Sequence, residues 1–74
     1  MSMTATEVTV KLIRKGTTTV KKIREVNLRI EELLRKLNIN PVSVVVFKNG
    51  VIVTEDDIVE AGDVIEVHSA SPGG

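Results

Sequence analysis

Apolar and polar residues alternate from Glu7 to Arg14, with Val8, Val10 and Leu12 on one face and Thr9, Lys11 and Ile13 on the other. A side-chain period of two predicts a half-buried β-strand. Lys15-Gly16-Thr17 supplies a turn, and Thr18 to Val26 reads as a second strand returning alongside the first. Val20, Ile23 and Val26 are not strictly alternate, so this strand carries a bulge or ends early. Beyond it the period changes. Ile30, Leu33, Leu34 and Leu37 fall at i, i+3, i+4 and i+7, the apolar stripe of an α-helix of about three turns. Asn27 is its predicted N-cap, since an Asn side chain accepts a bond from an orphan N–H of the first turn. Glu31 and Glu32 near the start and Arg35 and Lys36 near the end suit the helix dipole. Asn38 fits the left-handed position after the helix, and Pro41 stops any continuation.

Val42 to Lys48 predicts a third strand, joined through Asn49-Gly50 to a fourth at Val51-Ile52-Val53. Asn-Gly between apolar runs is the strongest short hairpin signal, because both central residues of that turn need positive φ. Thr54 to Val59 reads as a loop with room for one helical turn capped by Thr54 or Glu55. Ala61-Gly62-Asp63 makes a turn, Val64 to His68 the last strand, and Ser69 to Gly74 a polar, flexible tail. The helix stripe should meet Val8, Val10, Leu12, Val44, Val46, Ile65 and Val67, with the first and last strands as parallel neighbours at the sheet centre. The expected fold class is α+β: a mixed sheet of four to five strands packed on one helix, the β-grasp arrangement. Residues 1–69 would form this domain, with a frayed start at Met1 to Ala5, and residues 70–74 the tail.

Length and composition narrow the rest. Seventy-four residues hold one core and no second domain. A chain of this size buries only about 60% of its unfolded surface. With no Cys and one His, it has neither a disulfide framework nor the donors for a structural zinc site, so no metal is expected. Val occurs thirteen times, Ile seven and Leu five, against one Phe and no Tyr or Trp. That β-branched excess favours strands, and the lack of aromatics removes the platforms on which single-stranded bases stack. No apolar run approaches the ~20 residues of a membrane span, so a cytoplasmic protein with no membrane partner is expected. The net charge of zero hides a split. Residues 1–48 hold all ten Lys and Arg with four acids, a balance of +6, and residues 49–74 hold six acids and no base, a balance of −6. Such a surface steers one oriented partner, unless both sets are simply solvated.

Familiar catalytic constellations are missing. There is no Cys nucleophile, and the only His, His68, is placed by alternation beside Glu66 and away from the helix. A strand His near a chain end suits an exposed position better than a general base. Asp56-Asp57 lacks the further ligands of a metal site, and Gly16, Gly50 and Gly62 sit in turns and make no phosphate loop. Lys11, Arg14, Lys15, Lys21, Lys22 and Arg24 gather in the first hairpin, yet the equal acid count weighs against nucleic acid. The chain is not expected to be an enzyme in its own right.

Chemistry concentrates at the end of the sequence, Ala70-Ser71-Pro72-Gly73-Gly74. Two residues without Cβ can thread a narrow channel and bring a carboxylate close to a nucleotide phosphate. A carboxylate is a poor electrophile, so a partner enzyme would have to activate it, for instance as an acyl-adenylate. Taken alone, the pair could equally be an incidental terminus.

Val44-Val45-Val46-Phe47-Lys48-Asn49-Gly50-Val51-Ile52-Val53, Glu55-Asp56-Asp57-Ile58, Ala61-Gly62-Asp63-Val64-Ile65-Glu66-Val67 and the closing Gly73-Gly74, in that order, resemble the sulfur-carrier branch of the ubiquitin-like proteins. That branch includes the thiamin-biosynthesis carrier, the small subunit of molybdopterin synthase and the archaeal small modifiers. The helix Ile30-Glu31-Glu32-Leu33-Leu34-Arg35-Lys36-Leu37 is also similar, so the likeness spans nearly everything from Val8 onward. The resemblance implies that a ubiquitin-activating-type enzyme uses ATP to adenylate Gly74. The chain would bind no cofactor itself. A sulfur donor then makes a thiocarboxylate that serves a cofactor or tRNA pathway through a sulfur-acceptor enzyme, or the activated end is joined to lysines of target proteins. The tail lacks the Leu-Arg that precedes Gly-Gly in ubiquitin, so the resemblance does not reach the ubiquitin enzymes themselves, and Pro72 stiffens the residue before it. The alternative is a monomeric β-grasp module that binds protein or RNA and whose Gly-Gly is incidental.

Alternation also predicts a docking surface. If Val44 and Val46 face the helix, then Val45 and Phe47 face outward with Ile13 and Val64, and His68 and Lys11 rim an apolar patch on the uncovered sheet face. The alternative is that Phe47 tucks against the tail or a hairpin.

Overall fold

The computed structural model describes residues 7–25 and 27–69. The expectations for Met1 to Ala5, for Val26 and for the tail at 70–74 lie outside the described residues. Seven strands, one α-helix and one 3₁₀ turn follow in the order β1 (Val8–Arg14), β2 (Thr17–Ile23), β3 (Leu28–Arg29), α1 (Ile30–Lys36), the 3₁₀ turn Pro41–Ser43, β4 (Val44–Lys48), β5 (Val51–Val53), β6 (Ile58–Val59) and β7 (Val64–Ser69).

Five strands form one sheet in the order β2-β1-β7-β4-β5. β1 and β7 run parallel, with Thr9 opposite Val64 and Ile13 opposite His68, and every other neighbouring pair is antiparallel. The fold is therefore a mixed α+β sheet with one helix, a β-grasp, with the first and last strands adjacent at its centre. One face carries α1. Val8 and Val10 of β1, Val46 of β4 and Ile65 and Val67 of β7 close on Ile30, Leu33 and Leu34, and all are buried. Leu12, Leu37 and Val44 join only as half-buried flanks, because α1 has seven residues, two turns instead of three, and leaves that end of the sheet uncovered.

Both two-residue hairpins follow their turn chemistry. Lys15 and Gly16 have φ of 49° and 80°, and Asn49 and Gly50 have 52° and 87°. Positive φ at both central residues gives the turn a twist that matches the strands it joins. β2 starts at Thr17 and ends at Ile23, in unbroken register with β1. The early strand end expected from the broken alternation is the one found, and the bulge is not. Asn49 does a second job: its side-chain oxygen accepts from Val64 N–H at 2.9 Å and its amide donates to Asp63 at 3.0 Å. This fixes the β4–β5 turn to the start of β7.

The start of the helix departs from expectation. Asn27 is not the N-cap; it adopts a left-handed φ of 63°, and Leu28–Arg29 is a short strand paired with β6. Arg29 occupies the N-cap position, where its N–H donates to Glu32 Oε1 at 3.0 Å. The next two orphan N–H groups, of Ile30 and Glu31, donate to the carbonyls of Asp57 and Glu55 at 2.8 and 3.1 Å. A distant loop thus satisfies donors that a local side chain was expected to cap. That loop is not a helical turn. Thr54 N–H donates to Asp57 Oδ2 at 2.8 Å and Asp57 N–H returns to the Thr54 carbonyl at 3.2 Å, closing a tight turn before β6. β6 buries Val59 completely, a core residue that the loop assignment missed.

The far end of α1 matches expectation. Asn38 takes φ of 60°, its N–H bonds the Arg35 carbonyl at 3.0 Å, and Ile39 N–H bonds the Leu34 carbonyl at 2.8 Å. This is a Schellman closure with an apolar residue folding back onto the core. Pro41 opens the 3₁₀ turn, so β4 begins at Val44 instead of Val42, and Val42 is left 87% exposed.

Because Val59 packs beneath the helix from the second, two-stranded sheet, Val59→Ala should lower unfolding free energy by about 2 kcal/mol, measured by urea titration. A loss below about 0.5 kcal/mol, the range of an exposed site, would place Val59 outside the core.

Candidate functional site

The sheet face opposite α1 carries no helix among the described residues, and pairing register fixes what it displays. Ile13, His68 and Val45 form one row across β1, β7 and β4. Lys11, Glu66, Phe47 and Ile52 form the next across β1, β7, β4 and β5, and Val20 of β2 extends it beyond Lys11. Val64 begins a third row beside Thr9. All five residues expected on this surface, Phe47, Val45, Ile13, Val64 and His68, therefore share one face, and each is half-buried. None is in the aliphatic core.

Phe47 lies against His68, ring centroids 5.2 Å apart and planes at 73°, an edge-on contact of the kind favoured by aromatic quadrupoles. His68 Nε2 is 3.2 Å from Glu66 Oε1. Two expectations change here. His68 does not rim the patch but sits on the central strand between Ile13 and Val45, half-buried rather than freely exposed. Lys11 lies opposite Glu66, well inside the sheet. The face is thus a short polar ridge, Lys11, Glu66 and His68, flanked by aliphatic side chains and one aromatic ring.

Two apolar members were missed. Ile52 stands opposite Phe47 and is 63% exposed, and Val20 stands opposite Lys11 and is 53% exposed. The signal for Ile52 lay in the sequence: a two-residue Asn-Gly turn pairs Lys48 with Val51, and therefore Phe47 with Ile52.

Part of the charge split maps onto opposite edges of the sheet, although Glu66 lies on the central strand opposite Lys11. The basic residues of β1 and β2 occupy one edge, and the acidic Glu55-Asp56-Asp57 turn follows β5 at the other. Asp57 is engaged with Thr54, and Asp63 accepts from Glu60 N–H at 2.8 Å and from Asn49, so both carboxylates hold turns. Lys48 crosses to the acidic side, its ammonium donating to the Ile58 carbonyl at 3.1 Å. Among the described residues, no three His, Asp or Glu side chains converge as metal ligands, and no helix is long and apolar enough to cross a membrane.

β7 delivers the chain to Ser69 at the end of the sheet where the β1–β2 turn projects. Gly73 and Gly74, the expected reactive end, lie outside the described residues. The open face and the start of the closing segment are therefore adjacent: His68 belongs to the face, and Ser69 is the next residue.

No curated protein matches the chain. The family model of small archaeal modifier protein 2 matches residues 6–67, which takes in every strand except the end of β7 together with the helix that covers them. The chain belongs to the small archaeal modifier protein 2 family, a family of ubiquitin-like β-grasp modifiers.

Proposed function

We propose that this chain is a carrier or modifier that works through the carboxylate of Gly74, activated by a partner enzyme and not by any group of its own. Membership of the small modifier family carries the reading, and the Gly73-Gly74 sequence supports it. In the first step a carboxylate oxygen of Gly74 attacks the α-phosphorus of ATP held by a ubiquitin-activating-type enzyme. Pyrophosphate leaves and an acyl-adenylate forms. Attack by a target lysine amine then makes an isopeptide bond, whereas attack by a hydrosulfide-level sulfur donor makes a thiocarboxylate; AMP leaves in either case. This chain contributes the unhindered end and the handle by which the enzyme grips it, binds no cofactor, and acts in the cytoplasm. Residues 1–69 serve as the handle and residues 70–74 as the reach into the enzyme's site.

The open sheet face is that handle. Ile13, Val45, Phe47, Val64 and Ile52 supply apolar area, and the Lys11–Glu66–His68 ridge gives a partner polar register marks. Aromatic and aliphatic side chains half-exposed on a rigid sheet lose little entropy when covered, which makes them good anchors.

Two outcomes test the reading. Incubated with ATP, the activating enzyme of the source cell and a sulfide donor or lysine-bearing target proteins, the chain should gain the mass of one oxygen-to-sulfur exchange or appear as isopeptide adducts. Removal of Gly74 should abolish either product. An unchanged intact mass, with the enzyme shown to be adenylating another substrate, would contradict it. Separately, Phe47→Asp and Ile52→Asp should each weaken binding to the activating enzyme about tenfold or more while leaving the circular-dichroism melt cooperative. Unchanged affinity in the folded Ile52→Asp variant would remove this face from the interface.

A further inference from the structure

Asn49 is the only Asn of this chain that is followed by Gly; Asn27, Asn38 and Asn40 precede Leu28, Ile39 and Pro41. An Asn side-chain amide is open to attack by the peptide nitrogen of the next residue. Gly, with no Cβ, leaves that nitrogen unhindered. Asn49 and Gly50 are both exposed. Nothing lies within 4 Å of the place that a Cβ on Gly50 would take, and among the described residues nothing accepts from the Gly50 N–H. The nucleophile is therefore unencumbered, and water reaches it.

The group it would attack is held elsewhere. Asn49 donates its own N–H to the Val64 carbonyl at 2.8 Å, accepts from Val64 N–H through Oδ1 at 2.9 Å, and donates from Nδ2 to Asp63 Oδ1 at 3.0 Å. Asp63 belongs to a wider knot. Its Oδ2 accepts from Glu60 N–H at 2.8 Å, and its carbonyl accepts from Thr9 N–H at 3.1 Å. Swinging Asn49 Cγ onto the Gly50 nitrogen breaks both side-chain bonds, so reaction requires the β4–β5 turn to lift from the start of β7, a local opening. The site also suits an amide and no other charge state. An amide donates to a carboxylate and accepts from an N–H at the same time, whereas a carboxylate only accepts.

We propose that Asn49-Gly50 is a self-modification site, a deamidation that accumulates with the time this turn spends open and then keeps it from closing. In the open state solvent base takes the Gly50 N–H proton and the nitrogen attacks Asn49 Cγ. The Cγ–Nδ2 bond breaks, and ammonia leaves with a proton from water. Water then adds to the cyclic imide, whose ring opens to an aspartate or to an isoaspartate with its main chain routed through Cγ. The step needs water alone, and no oxidant, reductant or enzyme. Either product carries a carboxylate that cannot donate to Asp63 and repels it. Isoaspartate also adds a backbone atom to a two-residue turn that sets Lys48 opposite Val51. The junction of β1, β4 and β7 is thereby left loosened for good. None of this depends on the chemistry of Gly74.

The test follows the full chain at mildly alkaline pH, folded or unfolded in urea, through the mass of the proteolytic peptide that spans Asn49. Asn49 should show the mass change of an amide-to-carboxyl exchange in both states, while Asn27, Asn38 and Asn40 stay unchanged. The folded chain should convert more slowly, by the same factor that protects the Val64 amide from hydrogen exchange. Asp63→Ala deletes a bond that holds the turn shut without touching either reacting group. Its conversion should be about tenfold faster than the parent's when folded, and unchanged in urea. Asn49→Asp, which carries the product's charge in advance, should keep a cooperative melt yet exchange its Val64 amide about tenfold faster. Equal rates in the folded and unfolded parent chain would overturn the proposal. So would a folded chain whose Asn49 persists beyond the time that Val64 exchange allows, or unchanged Val64 exchange in Asn49→Asp. The comparison of folded with unfolded parent chain needs no variant, so the test stands even where Asp63→Ala loses its cooperative melt.

Discussion

Parallel pairing of β1 with β7 is the contact on which the rest of the molecule depends. It brings residues some fifty-five positions apart, Val10 and Ile65, into register at the middle of the sheet. Parallel neighbours need a crossover, and the chain between them supplies one that includes α1. The crossover leaves the helix on one face, where Ile30, Leu33 and Leu34 close over Val8, Val10, Ile65 and Val67. Nine aliphatic side chains among the described residues make up this buried core, with no buried polar group. No disulfide strengthens it, so its stability rests on the fit of a few Val, Ile and Leu side chains.

A small core has a functional consequence. Among the described residues, one seven-residue helix covers only part of one face, and nothing covers the opposite face or the β2 edge. The side chains on that bare face are not a random sample of surface types. Ile13, Val45, Phe47, Ile52 and Val64 share it with a connected Glu66–His68 pair. The same central strand that organises the core ends at Ser69, where the segment bearing Gly73 and Gly74 begins. In the proposed role, the strand couples the grip of a partner to the delivery of the reactive end.

What could be read from the sequence divides along a physical line. Features set by neighbours in the chain were legible: the alternation of β1, the Asn49-Gly50 turn, the helix stripe and the left-handed Asn38 all occur as expected. The outward set of Val45, Phe47, Ile13, Val64 and His68 follows from the same alternation. Features set by distant partners were legible only in part: the parallel pairing of the first and last strands was expected and is found, but the start of the helix was not. Asn27 has the chemistry of an N-cap, but the carbonyls of Glu55 and Asp57 already satisfy the first turn, so Leu28–Arg29 extends and pairs with Ile58–Val59. Two-residue strands have no period to detect, which is why β3 and β6 were invisible and Val59 with them. His68 was expected on the rim although its strand was expected at the sheet centre; pairing with both Ile13 and Val45 puts it in the middle of a row.

The most direct test of the central claim, that one face of the sheet is built for the core and the other for a partner, is a cross-saturation experiment on the isotopically labelled chain bound to its ATP-loaded activating enzyme. Saturation transfer should concentrate on Ile13, Val45, Phe47, Ile52 and His68, leaving the exposed side of α1 at Arg35 unaffected. Transfer centred on α1, with the open face silent, would contradict it.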